Sequence, residues 1–420
     1  MRFMHIADIH LGYQQYGSKE RFNDFGRVFE HIVERAICER VAFVLLAGDL
    51  FEKRTVDPLA MRVAIDGFRR LREAAIPVVA VEGNHERAHY GNQYSWVDFL
   101  NGLGYLRLLN PRFEDGRAIV EPYGGAGGAY SDLPGGVRVY GIKYYGASTS
   151  RVFSLFADAL EKIDHSGVEF AILASHAGLE GQVPHYSGAL DLDDLAPLRE
   201  RIDYLALGHI HKPYNIEGWI YNPGSPETCN ISESAWPERG YYLVDIQPGN
   251  TPNHRAELIA PPRRPFYRFR LDVSAHDAPN QVYDAARALL EREGHAVARD
   301  PAPVVELVLG GVLPFSRYDL DLEYVKGLLH DAWSPLVARV RNMTTPAEFE
   351  IGADIEASRP ELERAIVRDL LRRDSRFRPS AEEWMRVALD VKRLALEDSP
   401  PEAIIDHLRR SRAELAGGGV

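Results

Sequence analysis

The sequence predicts an α/β layered fold over its first 260 residues, because short aliphatic runs alternate there with segments whose apolar residues recur at helical spacing. That spacing predicts helices around residues 22–37 and 64–71. Strands are predicted at residues 2–7, 41–47, 77–82, 137–142, 170–174, 204–207, 219–221 and 241–246. The later strands lie closer together with fewer helices between them, which favours a partly antiparallel or mixed sheet. The glycine-rich stretch 124–136 is expected to form a loop.

Length and composition exclude several classes of protein. A chain of 420 residues is long enough for two or three domains. Its 49 basic and 61 acidic residues give a net charge of −12, which excludes a uniformly basic nucleic-acid coat protein. Cys38 and Cys229 are the only cysteines and form no CxxC pair, so we exclude a disulfide scaffold and a cysteine zinc site.

Hydropathy gives no sign of a membrane or secretory segment. No apolar run approaches the roughly 20 residues that a membrane helix needs. The apolar stretch at the N-terminus is interrupted by His5 and Asp8, unlike the apolar region of a signal peptide. We therefore expect a cytoplasmic protein that is not attached to a membrane.

A proline-rich segment indicates a domain boundary. Three of the five residues 261–265 are proline, which disfavours both helix and sheet. We predict a first domain over residues 1–262 and a small α+β domain over residues 263–345. Residues 346–420 are predicted to be almost entirely helical, and within them 359–378 carry seven arginines against four acids.

Five short polar signatures stand where predicted strands end. They are Asp8-Ile9-His10, Gly48-Asp49, Gly83-Asn84-His85-Glu86, Ser175-His176 and Gly208-His209-Ile210-His211. Ligands of α/β sheets bind beyond the carboxyl ends of strands, where loops converge. Each signature alone is common in turns. Together they predict one cleft that contains two aspartates, one asparagine and five histidines.

This set of side chains is typical of a metal site. Mixed oxygen and imidazole ligands without thiolate suit Mn, Fe or Zn better than Ca or a purely oxygen-ligated Mg. The groups are too many for one catalytic metal, which favours two ions about 3.5–4 Å apart that could clamp a phosphate. One carboxylate then has to bridge the ions, and Asp49 is the best candidate. Asn84 offers a neutral oxygen, which limits the negative charge facing an anionic substrate.

The signatures resemble a known family. Their order resembles the calcineurin-like metallophosphoesterase pattern. The runs MRFMHIADIHLG, LAGDLF, VEGNHE, GHIHKP and YNPGSPE resemble more closely the SbcD family of DNA double-strand-break repair nucleases, the meiotic-recombination-eleven type. The resemblance covers about residues 1–260. It implies a four-layer αββα phosphoesterase core, a capping domain and two Mn²⁺ ions per chain, for which Mg²⁺ or another divalent ion could substitute.

The resemblance also implies roles for the cleft residues. One ion would be held by Asp8, His10, Asp49 and His211, and the other by Asp49, Asn84, His176 and His209. His85 would lie beside the scissile phosphate, protonating the leaving oxygen or steadying the pentacovalent state.

Glu52 departs from the family pattern. Some members carry at this position a histidine that helps to orient the phosphate. A carboxylate there would repel a phosphate, or would hold a water molecule or His85, and a solvent-facing loop acid is an equally good interpretation. The balance between exonuclease and endonuclease activity is therefore left open.

Several residues near the signatures are candidates for substrate binding. Tyr13, Tyr16 and Lys19 lie in the loop after the first signature, and Lys53 and Arg54 follow Asp49. Aromatic and basic groups of this kind can stack a base and follow a nucleic-acid backbone. Each basic residue alone is more often an ordinary surface cation.

The C-terminal segment is the candidate for partner binding. An apolar stripe at helical spacing runs through residues 384–395, and a shorter one begins at Ile404. The resemblance implies docking on the coiled coil of an SbcC-type ABC/SMC-like ATPase, and a homodimer. Such stripes are otherwise usually part of a core.

The leading hypothesis is a Mn-dependent DNA nuclease, exonuclease or endonuclease, that acts in double-strand-break repair through water activated by two metals. One alternative is a stand-alone metallophosphodiesterase for a smaller substrate. Another is a non-catalytic scaffold that binds DNA ends or an ATPase.

Overall fold

The computed structural model describes residues 1–88, 94–182, 189–247, 249–250, 252–346, 359–373, 376–396 and 400–417. The strands are β1 Arg2–Ile6, β2 Val44–Ala47, β3 Val78–Val81, β4 Arg107–Leu108, β5 Arg112–Glu114, β6 Arg117–Ile119, β7 Tyr130–Leu133, β8 Val137–Ile142, β9 Phe170–His176, β10 Tyr204–Gly208, β11 Tyr214–Ile216, β12 Ile220–Asn222, β13 Tyr241–Ile246, β14 His254–Ile259, β15 Phe266–Asp272, β16 Val304–Gly310, β17 Val312–Leu313, β18 Val337–Asn342 and β19 Thr345–Pro346. The α-helices are α1 Lys19–Cys38, α2 Pro58–Glu73, α3 Trp96–Gly102, α4 Thr149–Leu160, α5 Leu192–Leu195, α6 Pro279–Glu293, α7 Leu322–Trp333, α8 Arg359–Arg373, α9 Ala381–Leu396 and α10 Pro401–Gly417.

Two six-stranded sheets form the framework. The first has the order β14-β13-β1-β2-β3-β4, and the second has the order β11-β12-β10-β9-β8-β7. The strands β1 to β4 pair in parallel, as do β8, β9, β10 and β12, whereas β13, β14, β7 and β11 are antiparallel to their neighbours. Both sheets are mixed, so the predicted α/β class and mixed sheet are confirmed.

Side chains that alternate between the two faces of each strand allow the helices and sheets to pack in four layers. In β1, Phe3 belongs to a cluster between the two sheets together with Ile172 of β9, whereas Met4 belongs to a cluster shared with α1 and α2. Successive side chains of a strand point to opposite faces, so one buried strand serves both clusters. A third cluster joins the other face of the second sheet to α4, through residues such as Leu173 and Phe156. The αββα core implied by the resemblance is therefore confirmed.

Local signals account for the starts of the first two helices. The Ser18 hydroxyl accepts a hydrogen bond from the backbone N–H of Arg21 at the start of α1. The Asp57 carboxylate caps α2 in the same way, and Pro58 occupies its first turn. These helices therefore begin directly after the loops that follow β1 and β2.

The chain divides into two compact units by its internal contacts. The first comprises Met1–Phe269, Arg287–Val308 and Glu323–Arg341, and the second comprises Arg270–Ala286, Leu309–Leu322 and Asn342–Val420. After the two large sheets the chain adds a three-stranded sheet of order β15-β16-β18. In the second unit α8 packs on α9, and α9 packs on α10. The divisions at residues 262 and 345 stay a prediction.

Two further expectations have clear outcomes. The stretch 124–136 is not a loop throughout, because β7 occupies Tyr130–Leu133 and pairs antiparallel with β8. The helical prediction for residues 346–420 holds for α8, α9 and α10, while residues 347–358 lie outside the described part of the chain. Among the described residues, no helix is both long and apolar enough to cross a membrane.

Candidate metal centre

The five signatures converge at one edge of the two sheets. The loop after β1 is bonded to the loop after β2, because the backbone N–H of Asp8 donates to Gly48 O and that of His10 donates to Asp49 O, each at 3.1 Å. The second sheet joins them where the backbone N–H of His209 donates to both carboxylate oxygens of Asp8, at 3.1 and 3.0 Å. The predicted cleft is thus present.

The backbone at this edge is strained. Asp8, His10, Asp49 and His209 have positive φ angles of 53°, 52°, 54° and 88°. Residues other than glycine rarely adopt this backbone conformation. It persists where the surrounding structure enforces it, commonly at functional sites. Among the described residues, four of the ten non-glycine residues with a positive φ angle are ones that the sequence singles out as ligands.

At two positions only glycine fits, because a side chain of the site lies directly against the backbone. A Cβ atom on Gly83 would lie 2.0 Å from Oδ1 of Asp49, and one on Gly48 would lie 2.3 Å from Nδ1 of His176. Gly83 therefore allows the loop after β3 to pass directly over the Asp49 carboxylate. The signatures contain glycine because no larger residue fits.

The first group of candidate ligands contains Asp8, His10, Asp49 and His211. The Nε2 atoms of His10 and His211 lie 3.1 Å apart, and Oδ1 of Asp8 lies 4.0 Å from the former and 3.9 Å from the latter. Ligand atoms of Asp8, His10 and Asp49 lie within 4.8 Å of one another. The nitrogens of His10 and His211 thus lie close to the Asp8 carboxylate, and Asp49 lies close to Asp8 and His10.

The second group contains Asp49, Asn84, His176 and His209. The Nδ1–H of His176 donates to Ala47 O at 2.8 Å, so its Nε2 faces Oδ2 of Asp49 at 3.2 Å and Oδ1 of Asn84 at 3.0 Å. Burial lowers the pKa of His176, but the adjacent Asp49 carboxylate more than offsets this and raises it to about 9. Burial, followed by the nearby His176, lowers the pKa of His209 to about 3.

His85 lies at the rim of the two groups. Its backbone N–H donates to Oδ1 of Asp49 at 3.0 Å, and its Nδ1–H donates to the backbone carbonyl of Glu52 at 2.6 Å. Its Nε2 lies 4.0 Å from Oδ2 of Asp49, and the side chain is 36% exposed. The ring is therefore fixed through one nitrogen while the other faces the cleft.

Glu52 faces the site. Its Oε2 lies 2.9 Å from Nδ1 of His10 and 3.9 Å from Nδ1 of His85. The side chain is only 17% exposed, so the interpretation as a solvent-facing loop acid is wrong. The carboxylate lies behind His10, and the backbone carbonyl of Glu52 is the group that holds His85.

Glu86 joins two of the loops. Its buried carboxylate accepts hydrogen bonds from the backbone N–H groups of Leu50, Phe51 and Gly83, at 2.6, 3.1 and 3.1 Å. Burial, followed by the charge of Asp49, raises the pKa of Glu86 to about 8. The last residue of the GNHE signature therefore has a structural role that the sequence reasoning did not assign.

The support of His211 comes from a segment that the sequence reasoning did not connect with the site. Its Nδ1 lies 2.9 Å from Oε1 of Glu233, whose Oε2 accepts from Arg239 at 2.7 Å. The amide of Asn222 donates to Ile210 O at 2.6 Å and to the backbone carbonyl of Lys212 at 2.8 Å, which fixes the turn that carries His211. The YNPG run thus shapes the fifth signature.

Cys229 also lies at the first group. Its thiol, with nitrogen atoms of His10 and His211, forms a set within 4.8 Å. Counting cysteines could not reveal this proximity. Burial raises the pKa of the Cys229 thiol, which lies 3.1 Å from the Ser225 hydroxyl. The neutral thiol is a weak ligand compared with the surrounding imidazoles.

The candidate substrate-binding residues differ in accessibility. Tyr13 is partly buried with its ring centroid 5.3 Å from that of Phe25. The Tyr16 hydroxyl accepts from the backbone N–H of Ile231 at 3.0 Å, and the Arg339 guanidinium lies 4.6 Å from its ring centroid.

The three basic candidates are accessible. Lys19, Lys53 and Arg54 are exposed. Lys19 and Lys53 line a cavity of about 660 Å³, and Lys53 and Arg54 line a second one that includes Asn84 and His85.

The donor set suits divalent ions. The two groups share Asp49, they offer carboxylate, amide and imidazole donors, and most of their atoms are buried. Imidazole and carboxylate donors suit first-row transition metals, and a shared carboxylate suits a pair of ions. The arrangement can therefore hold two divalent ions beside His85.

Comparison with known proteins gives one family. Residues 1–213 match the family described as calcineurin-like phosphoesterase. The chain is 32% identical over 312 residues to the DNA double-strand break repair protein Mre11 of Halobacterium salinarum, covering 74% of this chain and 70% of that protein. It is 28% identical to Mre11 of Archaeoglobus fulgidus, covering 71% of this chain and 68% of that protein. It is 29% identical to the uncharacterized metallophosphoesterase YhaO of Bacillus subtilis, covering 60% and 58%.

Proposed function

Because the chain belongs to the calcineurin-like phosphoesterase family and is related to Mre11 proteins, we propose that it is a DNA nuclease of double-strand-break repair. Two ligand groups that share Asp49, with His85 at their rim, are the observation that carries the proposal. The reaction is hydrolysis of phosphodiester bonds, with exonuclease or endonuclease activity. The enzyme works in the cytoplasm.

The proposal assigns Asp8, His10, Asp49 and His211 to one ion, and Asp49, Asn84, His176 and His209 to the other. Manganese is the proposed metal, because the set mixes imidazole with oxygen donors. When bound, the ions supply positive charge at the phosphate and activate the attacking water. Two divalent cations also explain how an acidic protein with a net charge of −12 binds a polyanion.

His85 is the proposed proton donor. Its Nδ1–H is engaged by the Glu52 carbonyl, so Nε2 is the nitrogen that faces a substrate. In its imidazolium form the ring can donate from Nε2 to the leaving oxygen or to a phosphate oxygen. The 36% exposure of its side chain leaves that nitrogen accessible.

The proposed partners are DNA, a second copy of the chain, and an SbcC-type coiled-coil ATPase. The exposed cations Lys53 and Arg54 beside His85 support DNA as substrate. The ATPase would dock on the C-terminal helices. Large apolar side chains are exposed there, including Leu370 of α8, Leu396 of α9 and Ile405 of α10.

The test is nuclease activity of the purified protein with Mn²⁺ on linear DNA. We expect cleavage by the wild type and loss of cleavage in His85→Ala and Asp49→Ala. His85→Ala should still bind metal, whereas Asp49→Ala should lose metal from both groups. Intact DNA with the wild type, under varied metals and DNA ends, would contradict the proposal.

The same preparation tests the alternatives. Turnover of a chromogenic phosphodiester or a cyclic nucleotide without cleavage of DNA would identify a stand-alone phosphodiesterase for a smaller substrate. Failure to bind two metal ions per chain would favour a non-catalytic scaffold.

A further inference from the structure

Cys229 places a sulfur atom among the candidate metal ligands. Its thiol, a nitrogen atom of His10 and a nitrogen atom of His211 all lie within 4.8 Å of one another. The five signatures themselves offer only oxygen and nitrogen donors. The loop after β12 therefore adds a donor of a different chemical kind to the first group of ligands.

The sulfur is held in place by the residues around it. The backbone N–H of Cys229 donates to Oε2 of Glu233 at 2.9 Å, and Oε1 of that carboxylate lies 2.9 Å from Nδ1 of His211. The Ser225 hydroxyl donates to Glu227 O at 2.5 Å, so it accepts from the thiol, whose sulfur lies 3.1 Å away. One carboxylate thus positions both Cys229 and His211, and donors fixed in advance lose less entropy when an ion binds.

The spacing of the donors suits one ion. The Nε2 atoms of His10 and His211 lie 3.1 Å apart, and Oδ1 of Asp8 lies 4.0 and 3.9 Å from them. Donors around a tetrahedral zinc ion lie about 3.3–3.6 Å apart, because the bonds are about 2.0–2.3 Å long. The nitrogen and carboxylate atoms are close to that spacing, and a small movement of the side chain brings the sulfur of Cys229 within reach.

A thiolate changes which ion the first group prefers. Imidazole and carboxylate donors suit Mn²⁺, whereas a soft thiolate selects thiophilic ions such as Zn²⁺. An ion that binds the sulfur displaces the thiol proton into solvent and gains a thiolate ligand. The lack of a CxxC pair excludes a site built from paired cysteines, but not a mixed site in which two donors are histidines.

We propose that Asp8, His10, His211 and Cys229 form an inhibitory site for Zn²⁺ within the candidate metal centre. Zinc with four protein ligands keeps no open position for water or substrate, unlike zinc in a catalytic site. Zn²⁺ in place of the catalytic ion of the first group therefore switches the enzyme off. The inference rests on the proposed nuclease function and deepens it, because it names a thiophilic cation as a regulator of the same site.

The first experiment detects the thiolate bond and needs no activity. The metal-free protein is titrated with Co²⁺, a spectroscopic substitute for Zn²⁺ whose bond to a thiolate gives an ultraviolet charge-transfer absorption. We expect this absorption in the wild type and in Cys38→Ser, and its loss in Cys229→Ser. Cys38 is the matched control, because it is the only other cysteine and is exposed at the end of α1. No absorption in the wild type, or the same absorption in Cys229→Ser, would overturn the inference.

The second experiment separates coordination from packing. Calorimetric titrations with Zn²⁺ and with Mn²⁺ give the ratio of the two affinities. Loss of the Cys229 sulfur should lower the affinity for Zn²⁺ about 10-fold or more, at least as much as the loss of a group that only supports a ligand. A substitution that merely loosened the site would weaken both ions alike and leave the ratio unchanged. An unchanged ratio in Cys229→Ser would therefore overturn the inference.

Inhibition connects the zinc site with the proposed function. In the presence of Mn²⁺, the Zn²⁺ concentration that halves DNA cleavage should be about 10-fold or more higher for Cys229→Ser than for the wild type. Equal sensitivity of the two proteins would overturn the inference and leave the nuclease intact. A wild type that shows the thiolate absorption but cleaves no DNA would contradict the nuclease and still support the zinc site.

Discussion

Nδ1 of His211 lies 2.9 Å from Oε1 of Glu233. The other oxygen of this carboxylate accepts from Arg239 and from the backbone N–H of Cys229, at 2.7 and 2.9 Å. The Glu233 carboxylate therefore accepts the hydrogen bond between the two side chains, and the Nδ1–H of His211 donates it. In the neutral ring, Nε2 is then the nitrogen without a proton, and it lies 3.1 Å from Nε2 of His10. A carboxylate behind a histidine in this way fixes the tautomer that binds metal.

Glu233→Gln should weaken metal binding. The Arg239 and Cys229 donors would draw the amide oxygen, which turns the amide NH₂ toward Nδ1 of His211 and moves the ring proton to Nε2. Loss of such a supporting carboxylate typically costs about 10- to 100-fold in metal affinity. Calorimetric titration of the metal-free protein with Mn²⁺ measures this.

Glu227→Gln is the control for that titration. Glu227 is equally buried in the same segment, but its carboxylate accepts from Arg21 and from the backbone N–H of Thr228, at 3.0 and 2.7 Å. The Glu227→Gln variant should therefore bind Mn²⁺ with unchanged affinity. Equal losses in both variants would show that general packing, and not the contact with His211, determines the affinity.

Gly83→Ala should disrupt the site through one methyl group. The added Cβ would lie 2.0 Å from Oδ1 of Asp49, so the carboxylate shared by both groups has to move. We expect loss of stoichiometric Mn²⁺ binding together with destabilisation of about 1–3 kcal/mol from overpacking. Metal analysis after gel filtration and denaturant unfolding measure the two effects.

Gly327→Ala is its counterpart in α7. No atom lies within 4 Å of the added Cβ, so the substitution should stabilise the helix by about 0.5–1 kcal/mol and leave metal binding intact. Retention of two ions by Gly83→Ala would show that the loop after β3 yields without displacing Asp49.

His5 should make the metal-free protein sensitive to acid. Its Nε2–H donates to Leu207 O at 3.1 Å, the Tyr204 hydroxyl lies 3.0 Å from Nδ1, and burial lowers its pKa to about 3. The unfolded chain takes up this proton near pH 6.5 and the folded chain does not, so stability falls as the pH drops below that value. His5 alone should cost about 2 kcal/mol between pH 7.5 and pH 5.

Urea unfolding at a series of pH values tests this contribution. His5→Phe should have a flatter profile than the wild type, whatever its absolute stability. Replacement of the exposed His295 in the same way should leave the profile unchanged. A wild-type profile in His5→Phe would assign the acid sensitivity to other groups.

The sequence was sufficient to predict the strands that carry the candidate ligands and the polar residues at the ends of those strands. Strands such as β2 and β9 are local apolar runs, and parallel pairing brings their carboxyl ends together without further information. Short strands such as β7 escaped notice, because four residues within a glycine-rich stretch carry too little pattern.

The buried residues that hold the ligands and the surrounding loops in place could not be predicted from the sequence in the same way. Glu233 is 22 residues from His211, and Arg264 is 240 residues from Asp24, whose carboxylate it contacts at 2.6 Å. Such partners depend on the path of loops through space and leave no periodic signal. The contact of the Glu52 carboxylate with Nδ1 of His10, at 2.9 Å, likewise joins residues 42 positions apart in the chain.

The proposed ligands come from both sheets, Asp8, Asp49 and Asn84 after strands of the first, and His176 and His209 from the second. A pair of ions held between these ligands would therefore connect the two sheets. A ligand that binds only the folded state stabilises that state, by about 2.7 kcal/mol at a concentration 100 times its Kd. The linkage is reciprocal. A cavity cut between Phe3 and Tyr204, deep between the sheets, would lower the apparent metal affinity under conditions that populate the unfolded chain, without touching a ligand. A chelator would in turn lower the stability of the folded chain by removing the ions.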